Sequence, residues 1–188
     1  NLKLLCFFSL RFFYPKTTLV RLVFISHPRS LIDVIMSMVF ADIVWRKHLK
    51  AAVLIESKKP MPILELNQSE PKTGEVLVKM SAAGICASDH HVMTGDNPTP
   101  MPIVLGHEGS GVIEAIGPGV SSVKVGDRCV LSFVPNCGHC RSCREGLSNI
   151  CDTNRITGTR QYDGGFRLHT ADGVEVHQFA KLGDFGES

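Results

Sequence analysis

The chain has 188 residues, enough for one domain with a sizeable core and short of two enzymatic domains at about 100 to 200 residues each. Apolar residues at 44%, charged residues at 20% and ten prolines exclude a disordered, collagen-like or disulfide-scaffold chain. The formal net charge of +2 is a cancellation: residues 1–50 hold eight Lys or Arg against Asp33 and Asp42, and the remainder sums to −4.

The opening residues differ in kind from the rest. None of the 17 glycines precedes Gly74, and six of the ten phenylalanines fall within the first 40 residues. No apolar run there reaches the roughly 18 residues that span a bilayer. A basic, acid-poor leader suits a transit peptide or a secretory signal, but amphipathic periodicity and a small-residue cleavage site are both missing. Residues 1–49 are therefore expected to be a leader, disordered or non-native sequence upstream of a start at Met36 or Met38. Ser30 through Lys50 allows a helix, with Ser30 and Asp33 in capping-box positions.

From Ala51 onward short runs read as strands: Ala51 to Glu56, Pro62 to Leu66, Glu75 to Met80, Val112 to Ile116 and Asp127 to Phe133. Clusters of Gly, Pro, Asn and Asp separate them. Asp172-Gly173 marks a hairpin between Leu168–Thr170 and Val174–Val176, because both central turn positions favour positive φ. The expected fold is mainly β with short helices, a barrel or sandwich. Gly109-Ser110-Gly111 leads into a strand and reads as a turn of that barrel.

Cys137, Cys140, Cys143 and Cys151 follow the spacing C-x2-C-x2-C-x7-C. Short loops of this length wrap one ion and present four thiolates at about 2.3 Å to a tetrahedral Zn2+, a saturated and hence structural site. The rival is an iron–sulfur cluster, whose bacterial run continues with x3-C-P, whereas here seven residues intervene and Asp152 follows. A disulfide pair is disfavoured without a secretion signal. His139 lies among the sulfurs as an exposed loop residue.

Upstream, Cys86 follows a strand-like run through Met80, and His107 follows Pro102–Leu105. A thiolate and an imidazole at strand ends can converge on one metal with a position left open. By spacing alone, a lone buried Cys and a hydrogen-bonded His are the default reading.

The chain from about Lys50 onward resembles the catalytic domain of the zinc-dependent medium-chain alcohol dehydrogenases. The resemblance is carried by Lys50–Leu54, Gly74–Lys79, Gly84-Ile85-Cys86, Gly106-His107-Glu108-Gly109, Gly117–Val120, Val125-Gly126-Asp127, Leu182–Phe185 and the four-cysteine lobe. It implies that residues 50–188 are a GroES-like, partly open β-barrel with a structural zinc lobe, C-terminally truncated and lacking the nicotinamide-binding Rossmann domain. It further implies that Cys86, His107 and Glu108 belong to a catalytic zinc site whose third protein ligand comes after Ser188. Asp89 matches the carboxylate that orients the histidine ligand, Ser88 the hydroxyl that takes the alcohol proton, His91 the outer end of the proton relay, and Phe133 a substrate-pocket position. Ser88 and Asp89 also suit a helix start, and Phe133 suits an ordinary core.

The activity so implied is oxidation of a primary or aromatic alcohol to aldehyde, or the reverse, by alkoxide formation at zinc and hydride transfer to NAD or NADP. Two zinc ions per full-length subunit, one structural and one catalytic, are expected, with a cytoplasmic homodimer or homotetramer and neither nucleic-acid nor membrane partners. The alternative is a zinc-stabilised binding or structural module without turnover. No G-x-G-x-x-G occurs, so no cofactor-binding residue is assigned in this chain. Ala87 departs from relatives that carry a basic residue there. Cys129 is expected in the core, and His90 as an exposed neighbour of His91.

Overall fold

The computed structural model describes residues 47–188, so the leader, Cys6 and most of the expected Ser30–Lys50 helix lie outside the described residues. Eight strands are described: β1 (Lys47–Leu54), β2 (Ile63–Gln68), β3 (Val76–Ala83), β4 (Ile103–Val104), β5 (Gly109–Ile116), β6 (Arg128–Val130), β7 (Leu168–His169) and β8 (Glu175–Gln178). Three short helices accompany them: α1 (Ala87–Thr94), α2 (Arg141–Arg144) and α3 (Asp152–Thr157). Among the described residues no helix is long and apolar enough to cross a membrane.

Two sheets divide the strands. A ring of pairings in the order β1-β2-β7-β8-β4 closes through β1 and β4, and β3, β5 and β6 form a separate antiparallel sheet. In β1 every second residue from Leu49 to Val53 turns inward, the period expected of a strand with one buried face. Leu49, Ala51 and Val53 meet Leu66, Val104, Leu168 and Val176 in the barrel core. This alternation explains why Lys47–Lys50, expected to end a helix, are extended instead: the ladder with β2 pairs Leu49 with Leu66 and sets both inside. The strand thus begins four residues upstream of the boundary drawn from the sequence.

Two further expectations change. Gly109-Ser110-Gly111 is the first part of β5 and not a turn. A Cβ at Gly111 would lie 2.2 Å from the Lys79 carbonyl oxygen, so the glycine marks close strand approach. The strand expected over Asp127–Phe133 shrinks to Arg128–Val130, because β6 is an edge strand whose partner β5 begins at Gly109. The hairpin at Asp172-Gly173 is present, closed by the Thr170 amide to the Val174 carbonyl at 2.9 Å, with Gly173 at φ 88°.

A second apolar cluster seats the site. Val92 of α1 packs on Leu54, Ile103 and Leu105, with Met93, Phe179 and Phe185 against them. Segment Asp184–Glu187 then bridges the two sheets: the Ala52 amide bonds the Phe185 carbonyl, and the Met80 amide bonds the Glu187 carbonyl, each at 3.0 Å. A buried Arg167 ties the start of β3 to β7, donating to Glu75 Oε2 at 2.8 Å and Oε1 at 2.6 Å and to Asp163 Oδ2 at 2.9 Å.

Candidate functional site

Antiparallel pairing brings three chain segments to one edge of the small sheet. Ala83 at the end of β3 pairs with Gly109 at the start of β5, and Ser110 pairs with Val130 at the end of β6. Cys86, His107-Glu108 and Phe133 all lie a few residues beyond these strand ends. The sulfur of Cys86, a ring nitrogen of His107 and a carboxylate oxygen of Glu108 lie within 4.8 Å of one another.

Helix α1 supplies the next layer. Cys86 is its N-cap residue, and Asp89 in the first turn accepts the Cys86 amide at Oδ2, 3.0 Å away. Asp89 Oδ1 accepts the Gly106 amide, also at 3.0 Å, and lies 3.3 Å from His107 Nδ1. The wholly buried Asp89 therefore holds both ligand-bearing loops through their amides, and His107 Nδ1 stands beside it with no hydrogen bond formed. Ser88 Oγ stands 3.2 Å from Cys86 Sγ. His91 is exposed, one helical turn from Ser88, and its Nδ1 lies 3.6 Å from Asp96 Oδ2. The left-handed Gly95, at φ 81°, ends α1 and turns the chain back so that Asp96 reaches His91. His90 is exposed as expected.

Aromatic rings flank His107. Phe133, 63% exposed, stands edge-on at 6.2 Å between centroids, so it borders the site and is not core. Phe179, which sequence reasoning missed, stands at 5.2 Å. Asp184 was also missed as a charge, although Leu182–Phe185 carried part of the resemblance. Its carboxylate is buried, and neither oxygen has a hydrogen-bond partner. Burial, then the nearby Asp89, push its pKa up to about 6, with His107 opposing. A buried acid without hydrogen-bond partners, set against the loop that carries His107 and Glu108, fits a divalent cation, and the mixed S, N, O donor set of Cys86, His107 and Glu108 fits zinc.

The second cluster is the lobe between β6 and β7. The ligand atoms of Cys137, Cys140, Cys143 and Cys151 lie within 4.8 Å of one another. Amides point at the sulfurs: Cys140 to Cys137 at 3.3 Å, Cys137 to Cys151 at 3.4 Å and Asn154 to Cys151 at 3.4 Å. The Thr153 hydroxyl donates to Cys137 at 3.4 Å, and with the amides it brings that thiol down to about 5 against the effect of burial. Burial, together with the Cys140 side chain, pushes Cys143 up to about 12. Four clustered sulfurs, two of them with N–H or O–H donors aimed at them, make a cage that a dication completes. His139 is exposed and turns Nδ1 to the Cys137 carbonyl at 2.7 Å. Cys129 is half-buried on the edge strand, with Sγ 3.7 Å from the Gly111 carbonyl.

The profile of the Alcohol dehydrogenase GroES-like domain family matches residues 72–180. The chain belongs to this family. An NDMA-dependent alcohol dehydrogenase of Amycolatopsis methanolica is 50% identical over 139 residues, 73% of this chain and 37% of its own length. The crystal structure of an alcohol dehydrogenase zinc-binding domain protein from Burkholderia ambifaria matches with TM-score 0.71 and 35% identity, over 76% of this chain and 39% of that one. Benzyl alcohol dehydrogenase from Acinetobacter calcoaceticus matches with TM-score 0.66 and 36% identity, over 75% of this chain and 38% of that one. The chain thus spans about 37% of the length of the curated relatives it matches. The closed barrel with its cysteine lobe is the GroES-like fold of the family.

Proposed function

We propose that the protein is a zinc-dependent alcohol dehydrogenase, and that residues 47–188 form its substrate-side, zinc-holding part. The observation that carries this reading is the convergence of Cys86, His107 and Glu108 within 4.8 Å at one sheet edge, with the Ser88 hydroxyl 3.2 Å from the Cys86 sulfur. The reaction is oxidation of a primary or aromatic alcohol to its aldehyde, or the reverse. The likeness to benzyl alcohol dehydrogenase supports an aromatic substrate.

Cys86, His107 and Glu108 would hold a zinc ion, which would supply Lewis acidity to an alcohol bound there. Ser88 Oγ takes the hydroxyl proton as it leaves. His91, one turn along the same helix face, passes that proton to solvent, steadied by Asp96. Asp89 stands 3.3 Å from His107 Nδ1 and fixes the loop before it through the Gly106 amide, and Phe133 and Phe179 supply an apolar wall that suits a ring-bearing alcohol. The hydride needs an organic acceptor because zinc is redox-inert, and NAD or NADP fills that role. Cys137, Cys140, Cys143 and Cys151 hold a second, structural zinc that fixes the lobe.

Steady-state oxidation of benzyl alcohol by the full-length protein with NAD+ or NADP+ tests the reading. Ser88→Ala is expected to lower kcat by about 100-fold or more with zinc content unchanged. Wild-type protein that holds zinc yet turns over no alcohol with either nucleotide would favour a binding module instead.

A further inference from the structure

Of the two buried acids at the site, Asp184 is the one with neither oxygen hydrogen-bonded. It is 3% exposed, so water does not solvate the charge. The chain has also cleared space for it. A Cβ at Gly106 would lie 1.7 Å from Asp184 Oδ1, and a Cβ at Gly109 2.5 Å from Oδ2. These two glycines bracket His107 and Glu108, so the carboxylate is clasped by the loop that carries both donors. The backbone fixes it there: the Asp184 amide reaches the Gly106 carbonyl at 3.4 Å, and the Phe185 amide bonds the Leu105 carbonyl at 3.1 Å.

A buried carboxylate without partners costs stability unless a positive charge stands nearby. Asp89 has spent its oxygens on two amides, and it adds a second negative charge to the same pocket. Two buried acids with one imidazole between them lack a full counter-charge until a cation binds.

We infer that Asp184 is a positioning residue for metal: clasped between Gly106 and Gly109, its charge draws zinc to Cys86 and His107 and holds the His107-Glu108 loop around it. The inference rests on the zinc reading of that centre given above. It also predicts opposite effects in the two forms of the protein. Removing the charge relieves the zinc-free protein and weakens zinc binding, because the same electrostatic term enters with opposite sign.

Zinc affinity is measured on the full-length protein by competition with a chromophoric chelator at one fixed pH, alongside the melting temperature of the zinc-free form. Asp184→Asn should weaken zinc at the Cys86–His107 centre by about 10- to 100-fold and leave the lobe zinc unchanged. The zinc-free variant should melt at or above the wild-type temperature. Should the amide fail to pack, Asp184→Ser, which is smaller, carries the same expectation. Zinc affinity within twofold of wild type overturns the proposal, and so does a loss matched by an equal fall in zinc-free stability. Wild-type protein with zinc in the lobe alone overturns the reading beneath it as well.

Discussion

Asp89 Oδ1 lies 3.3 Å from His107 Nδ1 while the two Asp89 oxygens accept the amides of Cys86 and Gly106 at 3.0 Å each. One fully buried carboxylate thereby joins the start of α1 to the loop between β4 and β5. Its removal strands two amides, the buried Gly106 amide among them. Asp89→Ala is expected to cost about 3 to 5 kcal/mol in denaturant unfolding. Asp89→Asn keeps the shape and should lose less stability, while zinc affinity at Cys86 and His107 drops by about 10- to 100-fold.

The lobe depends on metal more than on packing. Across Cys137–Thr157 only Cys151 is buried, and Leu147, Ile150 and Ile156 are exposed. Chelation should therefore release the amides of this segment to hydrogen exchange while those of β1, β2 and β4 stay protected. Equal protection of the lobe with and without chelator would refute a structural metal there.

Much of this was legible in the sequence, and the reasons differ by element. Spacing alone gave the four-cysteine cage, since loops of two residues leave little conformational choice. Strand alternation and turn chemistry located β1, β2 and β3 within a few residues. The misreadings arose where tertiary packing overrode local signals: Gly109 and Gly111 look like a turn but allow β5 to approach β3. The extended Lys47–Lys50 owes its form to β2, some 20 residues later. Asp184 was invisible as a site residue because nothing local tells that a distant Gly106 makes room for its charge.

Arg167 and Glu75 form a two-point ion pair with Arg167 4% exposed, joined by Asp163, which Lys72 also contacts at 2.9 Å. For Asp163, burial is outweighed by bonds from Lys72, Gly165 and Arg167, which hold its carboxyl well below the usual carboxylate range. Arg167→Ala leaves Glu75 uncompensated and should destabilise by about 3 to 5 kcal/mol in urea unfolding. Substituting both partners by apolar residues of similar size should recover a large part of that loss.

Lys181 is buried, and its Nζ donates to the carbonyls of Gly158 at 2.5 Å and Arg160 at 2.8 Å, anchoring the segment after α3. Burial, aided by Arg160, pulls its pKa from 10.5 down to about 8, with Cys151 opposing. The unfolded chain then binds the extra proton between pH 8 and 10.5, so this group's contribution to stability rises with pH across that window. The difference in unfolding free energy between wild type and Lys181→Met should move in favour of wild type from pH 8 to 10. A flat difference would contradict it.

The central claim is that Cys86 and His107 hold a catalytic zinc distinct from the ion in the cysteine lobe. Zinc content and alcohol oxidation of the purified full-length protein, measured on wild type, Cys86→Ala and Cys140→Ser, test it most directly. The account predicts two zinc ions per wild-type chain, with Cys86→Ala keeping the lobe zinc but losing the second ion and the activity, and Cys140→Ser losing the lobe zinc. A Cys86→Ala protein that retains both ions and full alcohol oxidation would contradict it.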